Sequence, residues 1–168
     1  MTHELALKLR SYERALARDL RAQHRHFRQS LPRYLRDTEV RNLVTAPVVY
    51  SLGLPLVLLD LWVTLYQWVC FPLYGITRVR RRDYFVIDRH RLAYLNGIEK
   101  ANCVYCGYAN GLLAYVHEIA GRTEQFWCPI RHRRRLRHPH AHYRAFVDYE
   151  DAAGYRRELP RLRRSLRP

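Results

Sequence analysis

Three cysteines and one histidine are the residues of this 168-residue chain best suited to chemistry. Cys103 and Cys106 form a C-x-x-C pair with Gly107 directly behind, and Cys128 and His132 follow in "CPIRH". Two thiolates at the first spacing fit one ion held by a tight turn, which the glycine allows to close. Pro129 suits the first position of a helix. That makes Cys128 the residue ahead of the helix, with His132 one turn away on the same side. A cysteine at a helix N-terminus has its thiolate favoured. Cys103, Cys106, Cys128 and His132 together make a Cys3His set, a standard tetrahedral zinc arrangement. Iron or an iron–sulfur cluster is the alternative that three cysteines leave open.

Four protein ligands fill the shell, so the expected metal is structural. A catalytic metal needs an open position; His132 is then the ligand that water replaces, with Cys128 retained and Glu118 as acid/base. No catalytic residue is assigned. "VHEIAG" lacks the second histidine of the zinc-protease helix, because Gly121 stands in its place. No phosphate loop, nucleophile elbow or dinucleotide-binding turn occurs, and no small-molecule substrate is inferred.

Closing the site sets a condition on the chain between its halves. A helix from Asn110 to Ala120 rises about 16 Å. The stretch Gly121 to Trp127, if extended, returns up to about 23–25 Å. A helix unbroken to Trp127 would part the two pairs by about 27 Å, and the single site would fail. The expectation therefore rests on Asn110 as N-cap and Gly121 as the helix stop.

Further histidines, His138, His140 and His142, alternate in "RHPHAHYR"; they are expected to be solvated, with loose binding of a second metal as the alternative. Cys70 lies in an apolar run and reads as a small buried hydrophobe. Cysteines used this way, rather than in a disulfide framework, argue for a reducing compartment.

The fold class expected from these elements is mainly α: a membrane-associated helical hairpin plus a small Cys3His-stabilised soluble module. Residues 1–42 read as a basic amphipathic helix. Leu5, Leu9, Tyr12, Leu16, Leu20 and Phe27 form one stripe, and Arg10, Arg14, Arg18, Arg21, Arg25 and Arg28 a second, until Pro32 interrupts. Residues 43–77 are apolar, with Asp60 the only charge between Leu43 and Ile76. Prolines 47, 55 and 72 and glycines 53 and 75 divide this segment, and Trp62, Tyr66, Trp68 and Tyr74 suit the headgroup level. Basic residues crowd both flanks: Arg33, Arg36 and Arg41 before, and Arg78, Arg80, Arg81 and Arg82 after. The positive-inside rule sets both flanks, and with them both termini, on the cytoplasmic side. A hairpin satisfies that and a single span does not. Arms of about 16 residues reach roughly 24 Å, short of the ~30 Å core, so the hairpin is expected to be re-entrant, with its tip near Ser51–Pro55 or near Asp60. Asp60 is costly in a membrane and is expected at a turn, at a cap or against a partner.

Residues 78–150 are expected to form the metal-site module, with "DYFVIDR" as a short strand, and 151–168 a mobile basic tail. No secretory signal is expected ahead of the apolar run, because about forty highly charged residues precede it. The formal charge of +15 calls for an anionic partner. All but Lys8 and Lys100 of the 30 basic residues are arginines, a skew of the kind a GC-rich genome produces. The partners that follow are an anionic membrane leaflet and a membrane-bound protein. The expected function is that of a membrane-anchored adaptor or assembly factor. A metal-dependent enzyme and a zinc-knuckle-like nucleic-acid-binding module are the alternatives; the latter would use Tyr105, Tyr108 and Tyr143 for stacking and Arg131 to Arg137 for phosphate.

Overall fold

The computed structural model describes residues 15–168. Leu5, Leu9, Arg10, Tyr12 and Arg14 of the expected N-terminal stripes lie outside them. The structure is mainly helical, and among the described residues the only β pairing is an isolated parallel bridge between Ile130 and Val147. The chain divides into two compact units: residues up to Tyr50 with Ile87–Gly107, and Ser51–Val86 with Tyr108–Pro168.

In the first unit, α1 covers residues 15–25 and α2 covers Leu31–Asp37, with Pro32 in its first turn as proline's missing N–H allows. α3 is Val40–Ser51. The expected apolar stripe of α1 is open to solvent at Leu16 and Leu20. α5, Gly97–Trp127, starts in this unit from a reciprocal capping box. The Asn96 N–H donates to Glu99 Oε2 at 2.7 Å, and the Glu99 N–H donates to Asn96 Oδ1 at 3.0 Å. The N-cap is therefore Asn96, ahead of the C-x-x-C motif, rather than the expected Asn110 behind it.

In the second unit, α4 runs Gly53–Tyr74. Taken with α3 it forms a 35-residue apolar stretch, Val40–Tyr74, long enough to cross a membrane. The expected hairpin tip does not form at either position. Asp60 lies in mid-helix, and the break at Leu52 is one residue with helical dihedrals, φ −62° and ψ −18°. Pro55 sits in the first turn, where its N–H would lack a partner anyway. Pro72 sits in the last turn and cannot bond the Trp68 carbonyl. The guanidinium of Arg78 donates to that carbonyl instead, at 3.2 Å. Gly75 then stops the helix at φ 68°, a left-handed value that glycine adopts without strain.

The core of this unit is Phe71, Ile76, Val79, Leu112, Tyr115, Ile119 and Leu166. "DYFVIDR" is not a strand. With no strand beside it among the described residues, it leaves a 3-10 turn (Arg81–Asp83) and rests Tyr84 and Phe85 against Tyr115, ring centroids 6.0 Å apart in both cases. Nor is the C-terminus a loose tail. α6, Ala152–Arg164, is capped by Asp151 and buries Leu162. It is tied down where Gln125 donates to the Leu162 carbonyl at 2.8 Å and the Thr77 N–H to the Leu166 carbonyl at 2.8 Å.

Candidate functional site

The four expected metal ligands are not brought together. Cys103 and Cys106 lie within α5, which runs through Gly121 without a break to Trp127. The Cys128 N–H still bonds the Glu124 carbonyl at 2.8 Å, so the helical path reaches it. At 1.5 Å per residue, Cys106 and Cys128 are about 33 Å apart along that path. This is the unbroken-helix case in which one site cannot close. No group of three or more His, Cys, Asp or Glu among the described residues is arranged to hold a metal, and no cysteine is in a disulfide. Pro129 opens no helix either. It leads into the bridge at Ile130, so Cys128 sits at a helix C-terminus, and burial, with Glu124 nearby, pushes its thiol up. His132 is exposed and stacks on Tyr143 at 6.0 Å.

Gly121 has a different role. A Cβ there would stand 2.8 Å from the ring of His140. Glycine lets the 3-10 segment Ala141–Ala145 and its flanking histidine press against α5. His140 Nε2 meets Glu124 at 2.8 Å. His142 meets Gln125 Oε1 through Nδ1 at 2.8 Å and Glu118 through Nε2 at 3.0 Å. The Gln125 amide nitrogen is committed to the Leu162 carbonyl and Ser165, which fixes its oxygen toward His142. His142 is thus held between Gln125 and Glu118 by both ring nitrogens. Glu118 also accepts from Arg122 at 2.8 Å. Burial raises the Glu118 carboxyl, but the bonds from His142 and Arg122 outweigh it and hold it below the usual carboxylate range. Of the alternating histidines, His140 and His142 are fastening points, and only His138 is wholly exposed.

The second polar cluster is on α4. Arg81 bonds both carboxylate oxygens of Asp60, one at 2.6 Å; Tyr108 donates to the same carboxylate at 2.9 Å and Thr64 at 3.3 Å. The bonds to Asp60 hold the Arg81 guanidinium above its ordinary value. Burial, then the bond to Asp60, raises Tyr108, which stays a donor. About two turns further on, Gln67 accepts the Val79 N–H at 2.6 Å and donates to the Tyr115 hydroxyl at 2.7 Å. The expectation that Asp60 meets a partner holds.

These bonds turn the polar residues of α4 inward. Asp60 and Gln67 are buried, whereas Leu54, Val57, Leu58, Leu61, Trp62, Leu65, Trp68, Val69 and Leu73 are exposed. The exposed set recurs every three to four residues, so it is a single apolar face. No family model, curated protein or solved structure matches this chain.

Proposed function

We propose that the protein is a membrane-associated adaptor held by the outward face of α4, which lies in the plane of the interface with the rest of its unit on the water side. The observation that carries this reading is the inversion of α4: nine large apolar side chains outward, and both buried polar residues inward and bonded. A face of that kind has no favourable contact with water and suits the acyl boundary.

Orientation follows from the chain after α4. It returns alongside the helix, with Arg78 at Trp68, Val79 at Gln67 and Arg81 at Asp60. Arg80, Arg82 and Asp83 on this return are exposed. Were α4 to cross the bilayer, which its ~33 Å would permit, those charges would stand beside its middle. Each would cost about 2.5–3.5 kcal/mol there on insertion scales. In the plane, the apolar face sinks about 5–10 Å and the charges stay wet. Both basic flanks then share one side, the cytoplasmic one expected from their charge.

The reading does without zinc or iron, because the residues that would hold the ion are dispersed. Adaptor work falls to the basic exterior, which would meet a membrane-bound protein. Flotation of the full chain with phosphatidylcholine vesicles tests the anchor. Wild type is expected to float and Leu61→Gln/Leu65→Gln to stay at the bottom of the gradient; failure of wild type to float would overturn the reading.

A further inference from the structure

The first unit contains a cleft that the membrane reading does not use. Arg21 and Arg25 on α1, Arg28 just beyond it, Arg91 at the end of the 3-10 turn Arg89–Arg91, and Lys100 on α5 line a space of about 400 Å³, with Ala93 its only uncharged wall among the described residues. No carboxylate among the described residues lines it. None of these five cations takes part in an ion pair among the described residues, although pairs occur elsewhere at Asp37, Glu39 and Asp60. The acid next in sequence, Glu99, is committed to the Asn96 cap. Two different segments therefore converge five positive charges on one concavity, and the described residues supply no carboxylate to neutralise them.

Such an array opposes its own assembly. Like charges gathered around one cleft repel even through water, and an exposed arginine is free to turn away. The convergence makes physical sense if an anion completes it. Four forked guanidiniums suit oxygens presented in pairs, as phosphate presents them, and Lys100 adds a point charge. The volume is that of a small-ligand pocket rather than of a groove following a polymer.

We infer that this cleft binds a small ligand carrying two or more phosphate groups, either free or as the headgroup of a polyphosphorylated lipid. The inference rests on residues 15–50 and 87–107 alone, so it stands or falls apart from the anchoring role of α4.

Titration calorimetry of the detergent-solubilised full chain with sodium tripolyphosphate, beside binding to phosphatidylcholine vesicles carrying either a phosphoinositide bisphosphate or charge-matched phosphatidylserine, tests it. One tripolyphosphate should bind per chain. Arg25→Gln/Arg91→Gln should weaken that by about 10-fold or more, since charge-assisted bonds are lost. Arg157→Gln/Arg161→Gln on α6 should leave it unchanged. Preference for the phosphoinositide over phosphatidylserine, lost in the first variant, would assign the lipid source; tripolyphosphate binding without that preference would assign a soluble one. No saturable binding in either arm would overturn the inference, as would equal losses in the two variants, which mean diffuse attraction. Tighter binding of a single-stranded oligonucleotide through Arg25 and Arg91 would overturn it in favour of nucleic acid.

Discussion

α4 and the part of α5 from Tyr108 onward belong to the same unit and solve opposite problems. α5 turns Leu112, Tyr115 and Ile119 into the core and keeps its acids for bonding the loop that follows. α4 contributes Phe71 to the same core but turns most of its apolar bulk outward and its acid and amide inward. Burial of apolar area drives folding in water, and a helix designed for water alone would not be built as α4 is. On the proposed reading, α4 has two media to satisfy: polar partners inside its unit for Asp60 and Gln67, and acyl chains for the apolar outer face.

The contrast can be broken most forcefully at its two faces. Phe71→Ala empties a fully buried site and should cost about 3–5 kcal/mol. Leu65→Ala on the outer face should change stability in detergent by no more than about 0.5 kcal/mol. Chemical denaturation measures both, and equal costs would erase the distinction between the faces. Next comes the inward acid. Arg81→Leu leaves Asp60 without its cation. Asp60 is 13% exposed and Arg81 44%, so water softens the loss to about 2 kcal/mol, below that of a fully buried pair. Asp60→Leu/Arg81→Leu should recover most of it, since neither charge is then stranded.

The acid on α5 gives a smaller, pH-dependent effect. Glu118 has a lowered carboxyl in the folded chain, so its contribution is complete above the ordinary glutamate value near 4.3 and is lost as pH falls through the lowered one. Glu118→Gln should flatten that part of the acid limb of an unfolding profile; an unchanged limb would remove Glu118 from the account. The smallest effect belongs to metal. Chelator should leave the melting temperature unchanged and elemental analysis should find no stoichiometric zinc, whereas a sharp drop on chelation would restore the Cys3His site.

Which features were legible in the sequence follows from how local their signals are. The apolar run and the need of Asp60 for a partner could be read from composition and cost alone. Which partner could not be read, because Arg81 reaches Asp60 only after Gly75 reverses the chain. C-x-x-C misled because a thiolate pair is as compatible with a helix as with a turn, and the capping box at Asn96 and Glu99 decides for helix. Gly121 misled for a related reason. A glycine that ends a helix and one that admits a neighbouring ring look alike until His140, nineteen residues on, is found against it. The pairing of His142 with Glu118 and Gln125 left no short-range trace. The arginine stripe of α1 was visible, whereas its convergence with Arg91 and Lys100 depends on tertiary structure.

The central claim is that α4 lies in the plane of the membrane rather than across it. Nitroxide labels at Leu54, Leu61, Leu65 and Leu73, each in a chain with its native cysteines replaced and bound to vesicles, report immersion depth through the ratio of oxygen to nickel-chelate accessibility. Four similar, shallow depths are predicted. A profile deepest at Leu61 and Leu65 and rising toward both ends would mean that α4 spans the bilayer, and would contradict the account.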